Sequence, residues 1–196
     1  MRKKGEMTRQ MIVATAAPIF NRRGYDGASI KDVLVATGLE KGGLYRHFSS
    51  KEELAAEAFR YALGEAVRIR TEHLDRTHGA IALLKSFVKR FVETRSNLPG
   101  GCPLMNTAID ADDGNPTLRL LAQEAFSDWR KRLSKAVRDG IRSGEIRTET
   151  VPGRVANTII ATLEGALMIS RLEGSRIALT DARAALEILL DHIAAK

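Results

Sequence analysis

The stretch GLEKGGLYRHFSSKEEL, residues 38–54, places two adjacent glycines directly before an aromatic and basic turn of helix. Glycine weakens a helix, so a pair of them at a helix start needs a physical reason. The preceding residues 29–37 have the apolar spacing of a short helix, and Gly38 supplies the break that a tight turn requires. Residues 29–48 therefore predict a helix, a turn and a second helix.

In a helix-turn-helix the second helix enters the major groove of DNA, with its first residues nearest the bases. Gly42 and Gly43 carry no side chains, so the backbone there can approach DNA closely. Charged or hydrogen-bonding side chains suited to phosphate or guanine follow around them. They are Lys41, Tyr45, Arg46, His47 and Lys51.

Each of these side chains also has a plainer interpretation. Tyr45 could belong to the core, although it follows Leu44 and adjacent helical positions point apart. His47 could be a histidine at a helix end, and Arg46 could be solvated. The pattern favours DNA contact for His47, leaves Tyr45 between the two interpretations, and favours solvation for Arg46.

Positive charge is concentrated at one end of this chain of 196 residues, whose formal net charge is +7. Residues 1–50 hold nine lysines and arginines against four acids, whereas the remainder holds 22 against 20. Such asymmetry indicates a polyanionic partner for the N-terminal quarter. A solvated basic tail would produce the same numbers.

The bulk composition is that of a globular protein, with 44% hydrophobic residues. No apolar stretch approaches ~20 residues, so we expect no transmembrane helix and no membrane partner. The basic N-terminus lacks the apolar region of a signal peptide, and the single cysteine, Cys102, fits a reducing compartment. We expect a cytoplasmic protein without metal or cofactor. Cys102 is interpreted as buried, with a reactive thiol as the alternative.

Apolar residues recur at spacings of three and four along most of the chain, which predicts an all-α fold of about nine helices. We expect two domains, residues 1–50 and residues 51–196. Ser29 and Ser50 are predicted to cap the helices that follow them, and a long helix is expected over about 51–76. Gly24 is predicted to end the first helix, and Thr180 to cap the last.

The segment FNRRGYDGASIKDVLVATGLEKGGLYRHFSSKEEL, residues 20–54, resembles the N-terminal DNA-binding domain of TetR/AcrR-type transcriptional regulators. The resemblance rests on F-x-x-x-G-Y at residues 20–25, on G-L-x-x-G-x-L-Y-x-H-F at residues 38–48, and on S-K-E-E-L at residues 50–54. It covers about the first 55 residues. It implies a variable, all-helical C-terminal domain that dimerises and holds a small-molecule pocket.

Carried over by position, the resemblance places Lys41, Gly42, Tyr45 and His47 on DNA, with Lys51 holding phosphate. Weaker candidates for DNA contact are Ser29 and Lys31, early in the preceding helix. Many relatives carry threonine or serine where Gly43 stands, so one hydroxyl contact is expected to be missing although the backbone there still faces DNA.

Aromatic and soft side chains recur in the C-terminal region, and the resemblance favours them as the wall of a cavity for a largely apolar effector. Taken singly, each is more simply explained as ordinary hydrophobic core. They are Phe59, Leu63, Phe87, Phe91, Met105, Phe126, Trp129 and Met168.

Two late apolar segments, residues 155–172 and the last helix, are predicted to pair with their copies in a homodimer as a four-helix bundle. The residues expected at that interface are Gly165, Leu172, Leu186, Leu189 and Ile193. A two-fold dimer suits a palindromic operator.

The expected function is a ligand-responsive TetR-like regulator, a repressor that a small molecule releases from double-stranded DNA. The first alternative is an architectural or partner-regulated DNA-binding protein with a filled C-terminal core and no inducer. An enzyme is not expected, because the sequence has no nucleophile motif, no paired-carboxylate spacing and no phosphate loop.

Overall fold

The computed structural model describes residues 2–72, 74, 77–95, 97–112 and 114–195. Those residues form nine helices and no strand, which confirms the predicted all-α class. The helices are α1 (Arg2–Gly27), α2 (Ile30–Thr37), α3 (Lys41–Tyr45), α4 (Lys51–Thr71), α5 (Ala80–Glu93), α6 (Pro103–Asp110), α7 (Pro116–Ser143), α8 (Pro152–Glu173) and α9 (Ile177–Ile193). Residues 73, 75 and 76, the end of the predicted long helix, lie outside the described residues.

The chain divides into two compact units. Unit 1 comprises Met1–Val67 and Ser96–Glu124, and unit 2 comprises Arg68–Arg95 and Ala125–Lys196. Helices α4 and α7 each contribute residues to both units. The predicted domain boundary after residue 50 does not coincide with these packing units, and it stays a prediction.

The core of unit 1 joins the helix-turn-helix to its neighbouring helices. Ile12 on α1, Val33 on α2, Leu44 on α3 and Leu54 on α4 are fully buried in one cluster with Phe48. Burying one such side chain stabilises the fold by about 1.5–3 kcal/mol. The two short helices therefore depend on this core, because helices of five or eight residues are marginal alone.

Most helix ends follow the predicted signals. The Ser29 hydroxyl accepts a hydrogen bond from the backbone N–H of Asp32, and the Ser50 hydroxyl accepts one from that of Glu53, which confirms both caps. Gly24 has a φ of 71° and interrupts α1, although helix resumes to Gly27. The predicted cap at Thr180 is wrong, because α9 already begins at Ile177.

Unit 2 has its own core, in which α5, α8 and α9 pack together. By length and composition alone, α8 is one described helix that could cross a membrane, a test that core helices of globular proteins also pass. Seven of its side chains are buried, and the helix packs against both α5 and α9. We therefore assign α8 as a core helix of unit 2.

Candidate nucleic-acid interface

The turn between α2 and α3 is defined by its two ends. At the start of α2, Ser29 and Asp32 form a reciprocal capping box that satisfies two backbone N–H groups. At its end, Gly38 adopts a left-handed φ of 69°, and its N–H donates to the carbonyl of Leu34. A residue with a Cβ would be strained in that conformation, so glycine here sets the angle at which α3 leaves the turn.

Helix α3 presents one side inward and the rest outward. Leu44 is fully buried, and Phe48, just past the helix, is also buried in the unit 1 core. Tyr45, the neighbour of Leu44, is 41% exposed. The structure therefore excludes the interpretation of Tyr45 as a core residue of the described chain.

The other residues predicted to contact DNA are also accessible to solvent on or near this helix. Lys41 and Gly42 are exposed, Gly43 and His47 are half-buried, and Lys31 on α2 is exposed. The Lys41 ammonium lies 5.9 Å from the centroid of the Tyr45 ring, so charge and aromatic face lie next to each other. This cluster offers a cation, a phenolic hydroxyl and a bare backbone at one point of the surface.

Lys51 is held in place by an aromatic ring. Its ammonium lies 4.3 Å from the centroid of the Tyr25 ring, within cation–π range. Burial, followed by the nearby carboxylates of Glu52 and Asp26, raises the pKa of the Tyr25 hydroxyl above its usual 10.0. Tyr25 thus stays a neutral phenol, and its ring positions the Lys51 side chain at the start of α4.

Ser29 is already engaged within the protein. Its hydroxyl donates to the Asp32 carboxylate at 2.7 Å while accepting from the Asp32 backbone N–H at 3.1 Å. These bonds from the hydroxyl and backbone of Ser29, together with Arg23, lower the pKa of Asp32 to about 2. Capping is therefore the observed role of Ser29, and its contact with DNA stays a prediction.

Two arginines among the first 50 residues form ion pairs within the protein. Arg9 binds Glu53 and Glu57 on α4 and lies over the Phe48 ring, and Arg23 binds Asp32 at 2.7 Å. These two arginines stabilise the packing of α1 on its neighbours. Exposed cations outside these ion pairs include Lys31, Lys41 and Arg46 around the turn and Arg22 on α1.

A polar network between α1 and the segment containing α6 was not predicted. The Asn106 amide donates to the backbone and side-chain oxygens of Asn21 and to the Gly100 carbonyl. The Asp110 carboxylate accepts from the Tyr25 N–H at 2.6 Å, and a Cβ added to Gly24 would lie 2.3 Å from the same carboxylate. Gly24 is thus required where the Asp110 side chain contacts α1.

Three of the eight predicted ligand-binding residues meet in unit 2. Phe91 and Trp129 are stacked with ring centroids 6.0 Å apart, and Phe87 lies 6.2 Å from Trp129. The Arg70 guanidinium lies 4.2 Å from the centroid of the Phe91 ring. This aromatic cluster brings a cation and three rings together, but Phe87 and Phe91 are buried and also belong to the core.

The remaining predicted ligand-binding residues do not join that cluster among the described contacts. In unit 2, Phe126 and Met168 are largely exposed. In unit 1, Phe59 lines a cavity of about 30 Å³, which has room for only two or three waters, at roughly 10–15 Å³ each. Leu63 and Met105 are half-buried in unit 1. A single cavity lined by all eight stays a prediction.

The predicted dimer residues fall into two groups. Leu186 and Ile193 are buried in the core of their own unit, with Leu186 only 2% exposed, so they cannot form an exposed dimer surface. Leu172 is 80% exposed, and Gly165 and Leu189 are half-buried.

Within the described residues, no three His, Cys, Asp or Glu side chains are grouped to hold a metal ion.

Two family models match this chain. Residues 12–58 match the model described as bacterial regulatory proteins, tetR family, and residues 80–186 match that of the tetracyclin repressor-like C-terminal domain. The chain belongs to the TetR family. The helix-turn-helix of α2 and α3 is therefore the DNA-binding element of a transcriptional regulator.

Solved structures and a curated relative agree with this TetR-family assignment. A TetR transcriptional regulator from Chloroflexus aurantiacus is 41% identical, with a TM-score of 0.93 over 99% of this chain and 98% of its own. A TetR-family regulator from Cytophaga hutchinsonii is 35% identical, with a TM-score of 0.92 and 98% of each chain covered. The HTH-type transcriptional repressor DhaR of Mycobacterium sp. strain GP1 is 26% identical over 86% of this chain and 84% of its own. These proteins regulate transcription, and the family is not enzymatic, as the sequence predicted.

Proposed function

We propose that this TetR-family chain is a cytoplasmic, ligand-responsive repressor that binds a palindromic operator as a homodimer and is released by a small molecule. The observation that carries the proposal is the orientation of α3. Leu44 anchors the helix in the core, while Lys41, Gly42 and Tyr45 face outward together. In a helix-turn-helix this is the side that meets base edges and phosphates.

The proposed DNA contacts are the residues predicted from the sequence. Lys41, Tyr45 and His47 bind phosphate or base edges, and Gly42 and Gly43 let the backbone approach the groove. Lys51, held on the Tyr25 ring, binds a phosphate beside the first turn of α4. Lys31 contributes its side chain near the start of α2. Ser29, whose hydroxyl and N–H are both engaged with Asp32, contributes by fixing the first turn of α2 against the DNA.

The proposal assigns dimerisation to the outer face of α8 and α9. Met168, Ile169 and Leu172 on α8 and Ile188 on α9 are large apolar side chains exposed in the single chain. Large apolar side chains exposed on a single chain support a protein interface on these helices. Gly165 and Leu189 are half-buried on the same helices and remain in the proposed interface, whereas Leu186 and Ile193 do not.

The effector is proposed to bind in the C-terminal region, on the aromatic cluster of Phe87, Phe91 and Trp129. Stacked rings favour a largely apolar, planar body. A ligand shifts the equilibrium only if it binds the DNA-free conformation more tightly, and such coupling is typically ~1–3 kcal/mol. The long helix α4 and the α1–α6 polar network are the proposed elements that differ between the two conformations.

The test is fluorescence anisotropy with the DNA upstream of the chain's own coding sequence, measured across a salt series. Tyr45→Ala is expected to weaken binding at least about tenfold, because it removes an aromatic contact and a hydroxyl. Lys41→Ala is expected to reduce the slope of log affinity against log salt by about 1, as the loss of one phosphate contact does.

Matched controls are available on the same chain. Tyr61 on α4 is 39% exposed, close to Tyr45, and Lys89 on α5 is an exposed lysine, so Tyr61→Ala and Lys89→Ala should leave affinity and slope unchanged. Loss of binding in the control variants as well would contradict the proposed interface. If upstream DNA binds no better than random DNA, a selection of bound genomic fragments decides between a distant operator and no operator.

The alternative is a DNA-binding protein with a filled C-terminal core and no inducer. The burial of Phe87 and Phe91 is the observation that favours it. A screen of planar apolar compounds that quench the Trp129 fluorescence and release the operator would support the ligand-responsive repressor. Operator binding that no such compound alters would favour the alternative.

A further inference from the structure

A cleft of about 270 Å³ lies in unit 2, away from the aromatic cluster of Phe87, Phe91 and Trp129. Its walls come from the connection between α7 and α8, from the first two turns of α8 and from the end of α9. All of its lining residues belong to unit 2. None of them is among the residues proposed above to bind DNA or the effector, and Leu189 alone is shared with the proposed dimer interface.

The polar lining of this cleft is mostly cationic or hydrogen-bonding. Arg147, Arg154 and His192 line it together with the hydroxyl-bearing Thr158. Among the described residues, no ion pair within 4.0 Å involves Arg147 or Arg154. Two guanidinium groups without a carboxylate partner in one concave site are suited to an anion.

Arg147 is held in position by the backbone around it. Its N–H donates to the Ile193 carbonyl at 2.9 Å, and its Nε donates to the Ala194 carbonyl at 3.2 Å. An antiparallel bridge pairs Ile146 with Ala194 beside it. The backbone and Nε of Arg147 are therefore fixed, which leaves its two terminal nitrogen atoms to bind a ligand.

The start of α8 adds to the positive potential. Val151 precedes the helix without a side-chain cap, and Pro152 at the first position has no N–H, while both Val151 and Arg154 line the cleft. The positive end of the dipole of this helix therefore lies at the cleft without a capping carboxylate. The one opposing charge in the lining is Glu149, which is exposed like Arg154 and is outnumbered by the two arginines.

The rest of the cleft lining is apolar, so the uncharged part of a ligand that fits there is apolar too. Val155, Leu189 and Ile193 line the same cleft. The volume is just below the roughly 300–1,000 Å³ of pockets for drug-sized molecules, so the occupant is small. We propose that this cleft binds a short aliphatic carboxylate, with its carboxylate on Arg147 and Arg154 and its chain on the apolar wall.

The test is calorimetric titration of hexanoate into the full chain at low ionic strength, with three comparison compounds. Acetate keeps the charge without the chain, hexanamide keeps the chain without the charge, and inorganic phosphate is an anion alone. Hexanoate is expected to bind once per chain with a Kd on the order of 1 mM. Each comparison compound is expected to bind about tenfold more weakly or not at all.

Variants locate the site. Arg154→Gln is expected to weaken hexanoate binding about tenfold, the loss of one charge-assisted contact. Arg171→Gln removes an exposed arginine from the last turn of the same helix and should change nothing. His192→Gln, a second variant in the lining, should weaken binding too. Circular dichroism checks that each variant folds.

Several outcomes would overturn the proposal. Absence of hexanoate binding up to about 10 mM would show that the cleft is not a site, or that the partner in a dimer covers it. Equal binding of hexanamide would indicate an apolar surface only, and tighter binding of phosphate a purely ionic one. Equal losses in Arg154→Gln and Arg171→Gln would indicate a general charge effect. None of these results depends on operator binding, so failure here is distinct from failure of the proposed repressor function.

Discussion

Helix α3 in unit 1 and helix α9 in unit 2 differ in how clearly their sequences report which side chains face inward. In the five residues of α3, Leu44 is the only aliphatic side chain, so Leu44 is buried and Tyr45 is exposed. In α9, large apolar residues occupy more than one face: Leu186 and Leu190 are buried, whereas Ile188 is 71% exposed. Where a helix offers more apolar residues than one core can take, packing decides which are buried, and the remainder mark a candidate interface.

The sharpest test of this comparison uses adjacent residues on α3. Leu44→Ala is expected to lower the free energy of unfolding by about 2–5 kcal/mol, because it leaves a cavity in the unit 1 core. Tyr45→Ala is expected to cost less than about 1 kcal/mol while weakening operator binding. Urea denaturation of both variants measures the difference. Equal losses of stability would show that Tyr45 also carries core packing.

The next largest effect on stability is expected at the contact between α1 and Asp110. Gly24→Ala adds a Cβ 2.3 Å from the Asp110 carboxylate at a φ of 71°, so we expect a loss of about 1–3 kcal/mol in the free energy of unfolding. Gly42→Ala is the matched control, because no atom lies within 4 Å of its added Cβ. Gly42→Ala should keep stability and lose operator affinity. The opposite pattern in these two variants would contradict both assignments.

The exposed face of α8 is tested by measuring dimerisation rather than the free energy of unfolding. Leu172→Glu places a charge on the proposed dimer surface and is expected to raise the dimer dissociation constant at least about tenfold. Sedimentation measures this constant, and circular dichroism should show an unchanged helix content. Val35→Glu is the control, since Val35 is 77% exposed on α2, outside that surface. Dimers that are insensitive to Leu172→Glu would move the interface elsewhere.

The smallest expected effect is the pH dependence contributed by Asp32. Folding lowers the pKa of Asp32 from 3.8 to about 2, so its ionised form stabilises the folded chain above about pH 4. That stabilisation is lost as the pH falls from about 4 to 2. The stability difference between the wild type and Asp32→Asn should therefore be present at pH 5 and shrink at pH 2. A difference independent of pH would mean that the charge of Asp32 contributes nothing to the cap.

The local features of unit 1 were predictable because their causes are local. A hydroxyl before a helix, an acid three residues later and a glycine at the turn lie within ten residues, and Ser29, Asp32 and Gly38 behave as their chemistry predicts. The network of Asn21, Asn106 and Asp110 was not predictable, because its partners lie about 85 residues apart and no sequence pattern reports such a bond. A glycine inside the helical stripe of α1 was the only signal, and its requirement became evident only with the Asp110 carboxylate beside it.

The candidate ligand residues show the same limit in unit 2. Composition marks Phe87, Phe91 and Trp129 as large aromatic residues, but their stacking depends on how α5 packs on α7. Residue type placed Phe126 and Trp129 in one predicted group, and only the structure shows that Phe126 is exposed whereas Trp129 packs against the unit 2 core.

The amino-acid sequence alone determined the class of the fold, the helix-turn-helix and its outward cluster of Lys41, Gly42 and Tyr45, because helical period, caps and turns depend on residues close in the chain. Only the tertiary structure decided that Leu186 lies in the core while Leu172 stays exposed, that Asp110 lies against Gly24, and that Arg147 and Arg154 line one cleft. Burial and long-range contact depend on which helices pack together, and that is settled by the free energy of the whole packed unit rather than by any local pattern.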